Sequence, residues 1–154
     1  MGSNEPGSAA GLELRRGCGG YLLDVPSGRV DVHRFRRLFD QARAADRTDA
    51  ERVLMLREAL GLWRGEPLAG LAGAWVERTR HSWGQQRIEA VLAWSEAELR
   101  VGKPNGVIGM LDGLVAEHPL VEPLTVALMR ALHAAGRSPE ALACFADLQK
   151  RLVE

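Results

Sequence analysis

The chain has 154 residues, enough for one compact domain or a short helical array, and its 46% hydrophobic and 26% charged residues are ordinary for a globular protein. Its 20 acidic and 20 basic side chains give a formal net charge of zero, which argues against a free-standing DNA-binding domain because such domains are usually basic. Two cysteines are too few for a disulfide-based fold, and no apolar stretch approaches the roughly 20 residues that span a bilayer.

The first 30 residues differ in composition from the rest. Residues 1–11 are rich in Gly, Ser, Asn and Pro and lack the charged-then-apolar order of a signal peptide, so we expect a disordered leader and a cytoplasmic protein. In residues 12–30, two short apolar segments flank a glycine-rich run, which predicts a β-hairpin or an extended segment. Tyr21 heads the second segment. Because a lone hairpin is marginal in water, we expect it to pack on the helices.

From Asp31, the expected N-cap of a first helix, the hydrophobic spacing becomes helical. Apolar residues recur at i, i+3, i+4 and i+7 from Phe35, which predicts one buried helix face. Thr48 and Glu51 have the spacing of a capping box at the start of a second helix. A glycine and a proline in the segment that follows, at positions 65 and 67, are expected to end that helix.

A long third helix is expected from about Ala74 to Val101. Apolar residues occupy two of its sides, which predicts a helix sandwiched between neighbours in a stacked array. One stripe contains Trp75, Trp83 and Trp94. We interpret this stripe as core packing, and a partly exposed aromatic groove for a partner helix is the alternative.

Three more helices are predicted over about 105–117, 122–135 and 139–154. Ser138 precedes a proline and is the expected N-cap of the last helix. Cys144 lies in the apolar pattern of the same helix, so we interpret it as a small buried hydrophobic residue.

A repeat of 34 residues relates the last helices. Gly102 and Gly136 stand where helix C-caps belong and are 136 − 102 = 34 positions apart, the tetratricopeptide period. The residues matched at this offset are Val91 and Thr125, Trp94 and Leu128, Lys103 and Arg137, Val107 and Ala141, Leu111 and Phe145, and Leu114 and Leu148. Each helical hairpin can bury its apolar face only against the next one. The predicted fold is therefore all-α, with tetratricopeptide-like stacked hairpins over residues 31–154.

Four segments occur in a distinctive order. They are Gly20-Tyr-Leu-Leu-Asp-Val-Pro26, Leu60-Gly-Leu-Trp63-Arg-Gly-Glu-Pro67-Leu68, Glu117-His-Pro-Leu120 and Ala135-Gly-Arg-Ser-Pro-Glu-Ala-Leu142. From about residue 12 to residue 154, the chain resembles the bacterial transcriptional activator domain of the streptomycete antibiotic regulatory protein family. We take as its structural signature Tyr21, Trp63, Gly65, Pro67, Gly102 and Gly136.

The resemblance implies a protein-interaction and self-association module of a transcriptional activator. It implies a homodimer and contacts with the transcription machinery, including RNA polymerase subunits. In that family a winged-helix DNA-binding domain precedes this one, and we expect the residues before position 12 to be too few to hold it. No direct sequence-specific DNA binding is therefore expected from this chain alone. Two alternatives are a generic tetratricopeptide adaptor that binds peptides and a small-molecule-sensing domain or enzyme that uses the Trp-lined side.

The sequence contains no motif for catalysis, a metal or a cofactor. It has no phosphate-binding loop and no nucleophile elbow. None of the four histidines is four residues from another histidine or a cysteine, as a zinc-binding helix would require. We therefore predict that the chain is not an enzyme and uses neither a cofactor nor a metal.

Arginines cluster near the start of the first helix and along the third. Arginine favours bidentate contacts with carboxylates and phosphates, so these clusters are candidate partner surfaces, although solvated helix faces would give the same pattern. The predicted partner-binding residues are Arg34, Arg37, Arg78, Arg80, Trp83 and Arg87.

Overall fold

The computed structural model describes the backbone of residues 13–17, 20–24, 31–65, 67–68 and 70–154, and the side chains of residues 32–65, 67–68 and 70–154. Strands β1 (Glu13–Gly17) and β2 (Gly20–Asp24) pair antiparallel, and Gly17 lies opposite Gly20. The backbone therefore forms the hairpin that the sequence predicts. The predicted leader and the side chains of Tyr21 and Asp31 lie outside the described residues.

Six helices make up the described chain from residue 31 onward. They are α1 (Asp31–Arg43), α2 (Asp49–Gly61), α3 (Ala74–Arg100), α4 (Asn105–Glu117), α5 (Glu122–Ala134) and α6 (Ser138–Val153). Their bounds agree with the sequence prediction except at the end of α2. That helix ends at Gly61, with Leu62 as its C-cap, so the prediction that Gly65 ends it is wrong. Gly65 lies in the following loop at a φ of +70°, a conformation that glycine adopts without strain.

Two helix starts show how local chemistry fixes the boundaries. At α2 the predicted capping box is confirmed: the Glu51 N–H donates to Thr48 Oγ1 over 3.2 Å, and the Thr48 N–H donates to Glu51 Oε2 over 2.7 Å. At α6 the prediction that Ser138 is the N-cap is wrong. The helix already includes Ser138, whose hydroxyl lies 3.0 Å from Nδ1 of His133 and not at a cap position.

The two repeat glycines close their helices in the same way. Gly102 has a φ of +76° and Gly136 a φ of +77°. In each case the residue after the glycine donates its N–H back to the carbonyl five residues earlier: Lys103 to Glu98 over 2.9 Å, and Arg137 to Leu132 over 2.8 Å. Both ends are therefore Schellman motifs, and the 34-residue repeat is confirmed in the backbone.

The helices stack as successive antiparallel hairpins, in a tetratricopeptide-like arrangement. Helix α3 packs against α2 on one side and against α4 and α5 on the other, as its two apolar stripes predict. Arg100, at the end of α3, donates from Nε to Asp49, at the start of α2, over 2.9 Å. The core is continuous from α1 to α6, and its most fully buried large apolar side chains are Phe35, Leu56, Val91, Val107, Leu111 and Leu124.

Burial follows the repeat at every matched apolar pair except one. Leu111 on α4 is fully buried, but its counterpart Phe145 on α6 is 44% exposed, so the prediction that Phe145 is a packing residue is wrong. The two helices differ in how many neighbours cover them. Both α3 and α5 pack on α4, whereas among the described helices mainly α5 packs on α6. Cys144, on the same helix, was expected to be buried but is only half-buried.

The tryptophan stripe of α3 is not uniformly part of the core. Trp94 is buried, Trp83 is half-buried and Trp75 is 63% exposed. The interpretation of the whole stripe as core packing is therefore wrong for its first turns. The neighbouring hairpins cover the second half of α3, and between Val76 and Ile88 no side chain of this helix is buried.

Candidate functional site

The loop after α2 is anchored by Trp63. Its ring packs edge-on against Phe35 of α1, with ring centroids 5.5 Å apart, and Phe35 in turn stacks on Phe39 at 6.0 Å. On its other side, the guanidinium of Arg87 lies 5.6 Å from a ring centroid of Trp63. Trp63 thus joins α1 to α3, as a structural anchor would.

Arg80 holds the loop that begins with Gly65 and leads into α3. Its Nε donates to the carbonyl of Pro67 over 2.8 Å, and its Nη2 donates to the carbonyls of Leu68 (2.7 Å) and Leu71 (3.1 Å). Nη1 also pairs with Glu77 over 2.7 Å. These bonds satisfy loop carbonyls and support Leu68 at its unusual φ of +56°. Arg80 therefore shapes one wall of the cleft between this loop and α3.

A cleft of about 550 Å³ lies between this loop, the first half of α3 and the end of α4. Its lining is mixed, since apolar side chains stand beside two arginines, a glutamate and a histidine. The lining residues are Trp63, Gly65, Pro67, Arg80, Gly84, Arg87, Ile88, Leu114, Glu117 and His118. The volume is within the usual range of ligand clefts.

Arg87 is the cation of this cleft that has no carboxylate partner among the described residues. Its Nη2 lies 3.9 Å from the sulfur of Met110, a weak acceptor, and its Nε is buried with no hydrogen-bond acceptor. The indole Nε1 of Trp63 is likewise buried and unpaired. The wall of the cleft therefore carries two N–H donors without partners.

The other predicted partner-binding residues do not gather in the cleft. Arg34 forms an ion pair with Glu58 of α2, and Arg37 is exposed on α1 without a hydrogen bond or ion pair in the described chain. Arg78 is likewise exposed and unpaired on α3, within the same ranges, and Trp83 is half-buried. Arg36, which was not predicted as a partner-binding residue, donates to Gln86 over 2.9 Å and joins α1 to α3.

A buried polar cluster escaped the sequence prediction. The side chain of Glu98 on α3 is fully buried and accepts hydrogen bonds from Trp94 Nε1 (3.0 Å) and from Arg57 of α2. The Arg57 guanidinium also lies 6.0 Å from a ring centroid of Trp94. The sequence does contain a sign of this cluster: Glu98 follows Trp94 by four residues, which places it one helical turn later on the same buried side of α3.

The outer face of α6 is apolar and uncovered. Leu142, Phe145 and Leu152 are 67%, 44% and 62% exposed, and they lie on one side of the helix together with Gln149. No charged residue lies within this stripe. A terminal unit of a helical array usually has a polar outer face, so this surface is a second candidate interaction site.

The described ranges contain neither a metal-binding cluster nor a membrane-spanning helix. No group of three or more His, Cys, Asp or Glu side chains comes together there as metal ligands would. None of the helices in these ranges combines the length and hydrophobicity that crossing a bilayer requires.

The sequence of this chain is similar to those of known bacterial regulators over most of its length. The family model "Bacterial transcriptional activator domain" matches residues 30–154. The regulatory protein DnrI of Streptomyces peucetius is 36% identical over 156 residues, which cover 99% of this chain and 57% of DnrI. The transcriptional regulator RedD of Streptomyces coelicolor is 35% identical over 149 residues, which cover 96% of this chain and 42% of RedD.

The fold also has a solved counterpart. The structure of Mycobacterium tuberculosis EmbR in complex with a low affinity phosphopeptide superposes with a TM-score of 0.73 and 29% identity, covering 90% of this chain and 38% of the EmbR chain. This chain therefore spans little more than half the length of DnrI, and less of RedD and EmbR.

Proposed function

This chain belongs to the family of bacterial transcriptional activator domains, and from that premise we propose that it is the protein-interaction and self-association module of a bacterial transcriptional activator. Its partner in the transcription machinery is RNA polymerase. The module acts by binding and not by catalysis, in the cytoplasm, and without sequence-specific DNA binding of its own. Its parts are a leader (1–11), a hairpin segment (12–30) and a helical domain (31–154).

The observation that carries the polymerase contact is the pair of unpartnered arginines on the outer surface. Arg37 and Arg78 are exposed and make neither hydrogen bonds nor ion pairs with the described residues, whereas Arg34 and Arg100 each bind a carboxylate. Unpaired arginines in water are available for bidentate bonds to the acidic groups of a partner. Trp83, half-buried on α3, adds partly exposed aromatic surface to the same helix as Arg78.

Retention by purified polymerase from a streptomycete tests this contact. We expect the immobilised chain to retain the enzyme, and we expect Arg37→Glu with Arg78→Glu to lower retention several-fold, because both side chains then repel acidic groups. Lys150→Glu, which reverses an exposed charge on α6, is the matched control and should retain the enzyme normally. Equal retention by the double variant and the parent chain, or none by the parent, refutes the contact.

Self-association is assigned to the apolar face of α6, with a second copy of the chain as the occupant. In a two-fold dimer the same patch meets itself, so a surface rich in one charge is repelled by its copy. The α1 and α3 surfaces carry arginines, but the stripe of Leu142, Phe145 and Leu152 carries no charge. Two copies of α6 packed antiparallel would bury these side chains without bringing like charges together.

Light scattering on the full chain, over a range of concentrations, tests the dimer. We expect a dimer that Phe145→Glu converts to a monomer, since a carboxylate would be buried against its copy. Leu54→Glu is the control, because Leu54 on α2 is 68% exposed and outside the stripe. A parent chain that stays monomeric at high concentration, or a dimer that survives Phe145→Glu, refutes the assignment of self-association to this face.

A further inference from the structure

Arg87 has neither an anion nor an oxygen acceptor among the described residues, whereas the other partly buried arginines there each bind a carboxylate or a backbone carbonyl. Arg57 bonds to Glu98 and Arg80 bonds to Glu77, but Arg87 has only the sulfur of Met110 and the ring of Trp63. Removing a guanidinium from bulk water is unfavourable unless an anion or acceptors replace the lost hydration. The site is therefore electrostatically incomplete as it stands.

The same wall carries two orphaned donors. Both Trp63 Nε1 and Arg87 Nε are inaccessible to solvent and have no acceptor, although buried N–H groups in folded proteins nearly always have one. Both side chains line the cleft. Because both atoms are closed to solvent, an acceptor that enters the cleft would meet the terminal N–H groups of Arg87 and not these two donors.

The remainder of the cleft defines what else the ligand carries. Pro67, Ile88 and Leu114 supply apolar lining, while Glu117 lies at the end formed by α4. Glu117 would repel a second negative charge, so a polyanion such as nucleic acid fits poorly. A single carboxylate attached to an apolar group fits both parts of the cleft.

We propose that this cleft binds the carboxylate of an acidic residue flanked by apolar residues in a segment of a protein partner, with Arg87 as the binding cation. The ring of Trp63 lies on one side of the guanidinium, at 5.6 Å, and the terminal N–H groups would meet the carboxylate in the paired geometry that arginine favours. The proposal rests on the proposed function in one respect, namely that the ligand comes from a protein partner.

The test uses the full chain and a defined probe. The peptide acetyl-Gly-Leu-Asp-Leu-Gly-amide is titrated while the indole N–H resonances are followed by NMR, with the Trp63 resonance identified from the spectrum of Trp63→Phe. We expect a saturable shift of that resonance, and binding about tenfold weaker for the Asn counterpart, as the loss of a charge-assisted hydrogen bond implies. Free butyrate serves as a third probe, because similar affinity for it would indicate a small-molecule site and not a peptide site.

Variants separate the cation from its surroundings. Arg87→Gln should remove the preference for Asp over Asn, whereas Arg78→Gln, an exposed arginine on the same helix, should leave it unchanged. If Arg87→Gln does not fold by circular dichroism, the comparison of the two peptides on the parent chain is sufficient. Equal affinity for the Asp and Asn peptides, or a Trp63 resonance that does not move, overturns the proposal. Because the assay contains no polymerase, loss of polymerase binding alone would refute only the proposed function.

Discussion

The indole Nε1 of Trp94 donates a hydrogen bond of 3.0 Å to the carboxylate of Glu98, one turn later on the same helix, at a depth where Glu98 is fully buried. Arg57 reaches the same oxygen from α2, so one carboxylate joins two helices. Gly106 of α4 leaves the space that this arrangement occupies, since a Cβ there would lie 3.4 Å from Arg57 Nη2. The cluster thus ties α2 to α3 and lies against α4 at Gly106.

Replacing Arg57 by methionine should destabilise the chain. The variant leaves a buried carboxylate without its cation, and we expect a loss of about 2 kcal/mol, discounted because the Arg57 side chain is half exposed. In the Glu98→Gln background the same change should cost about 1 kcal/mol less, since the charge is gone. Urea unfolding of the four proteins in this cycle measures the coupling, and additive effects would show that the pair is not coupled.

Acidification should weaken the start of α2. The backbone N–H of Thr48 is the main cause that lowers the pKa of Glu51, followed by the Thr48 hydroxyl. A lowered carboxyl pKa stabilises the fold above the ordinary carboxyl range, and that contribution is lost as the pH falls through the folded-state pKa. The stability difference between the parent chain and Glu51→Gln should therefore be largest near pH 7 and shrink towards pH 3 in urea unfolding.

The Thr48 hydroxyl is the other half of this capping box, since it accepts from the Glu51 N–H. Thr48→Ala should cost about 1 kcal/mol at neutral pH, as the loss of an N-cap usually does. Thr48→Ser keeps the hydroxyl and is the control. A difference between the parent chain and Glu51→Gln that stays constant from pH 7 to pH 3 would contradict the assignment of the pKa shift.

Two kinds of glycine should respond to alanine with opposite signs. Gly136→Ala places a side chain at a φ of +77° and should destabilise by about 1 kcal/mol, and Gly102→Ala should do the same at +76°. Gly113→Ala should stabilise by about 0.5 kcal/mol, since Gly113 lies in α4 with nothing within 4 Å of its future Cβ. Thermal unfolding of the three variants checks this, and a stabilised Gly136→Ala would exclude the proposed strain.

The thiol of Cys144 should react slowly with alkylating reagents. Burial is the main cause that raises the pKa of this thiol, and the charge of Asp112 adds to the rise. A raised pKa leaves less thiolate at neutral pH, and the thiolate is the reactive form. In the Cys18→Ser background, the rate of iodoacetamide alkylation should reach half of its maximum at a higher pH than for free cysteine. A midpoint at or below that of free cysteine would contradict the shift.

The start of α2 and the repeat were predictable because their signals are local. Thr48 and Glu51 lie within one turn, and the glycines at positions 102 and 136 act through their own φ angles. The exposure of Phe145 was not predictable in this way, because it depends on whether another helix lies over α6. The repeat offset only shows that Phe145 is equivalent to Leu111, not that both have a neighbour.

The candidate site was predictable only in part. Arg80 and Arg87 were selected as members of an arginine cluster, yet one binds the loop carbonyls and the other faces the cleft without an anion. Such roles depend on which distant residues fold against α3. The assignment of Arg34, Arg37, Arg78, Arg80, Trp83 and Arg87 to partner binding remains a prediction, as does the division of the chain into three segments.

The helix ends at Gly102 and Gly136 share one backbone geometry, which bears on how a repeat unit could be inserted or deleted. Cuts after Gly102 and after Gly136 fall at the same backbone conformation, each preceded by a helix with the same closing hydrogen bonds. A duplicated or deleted unit of 34 residues between these points would rejoin without a new loop geometry. The backbone of this chain would therefore accept the gain or loss of a whole hairpin with its remaining turns unchanged.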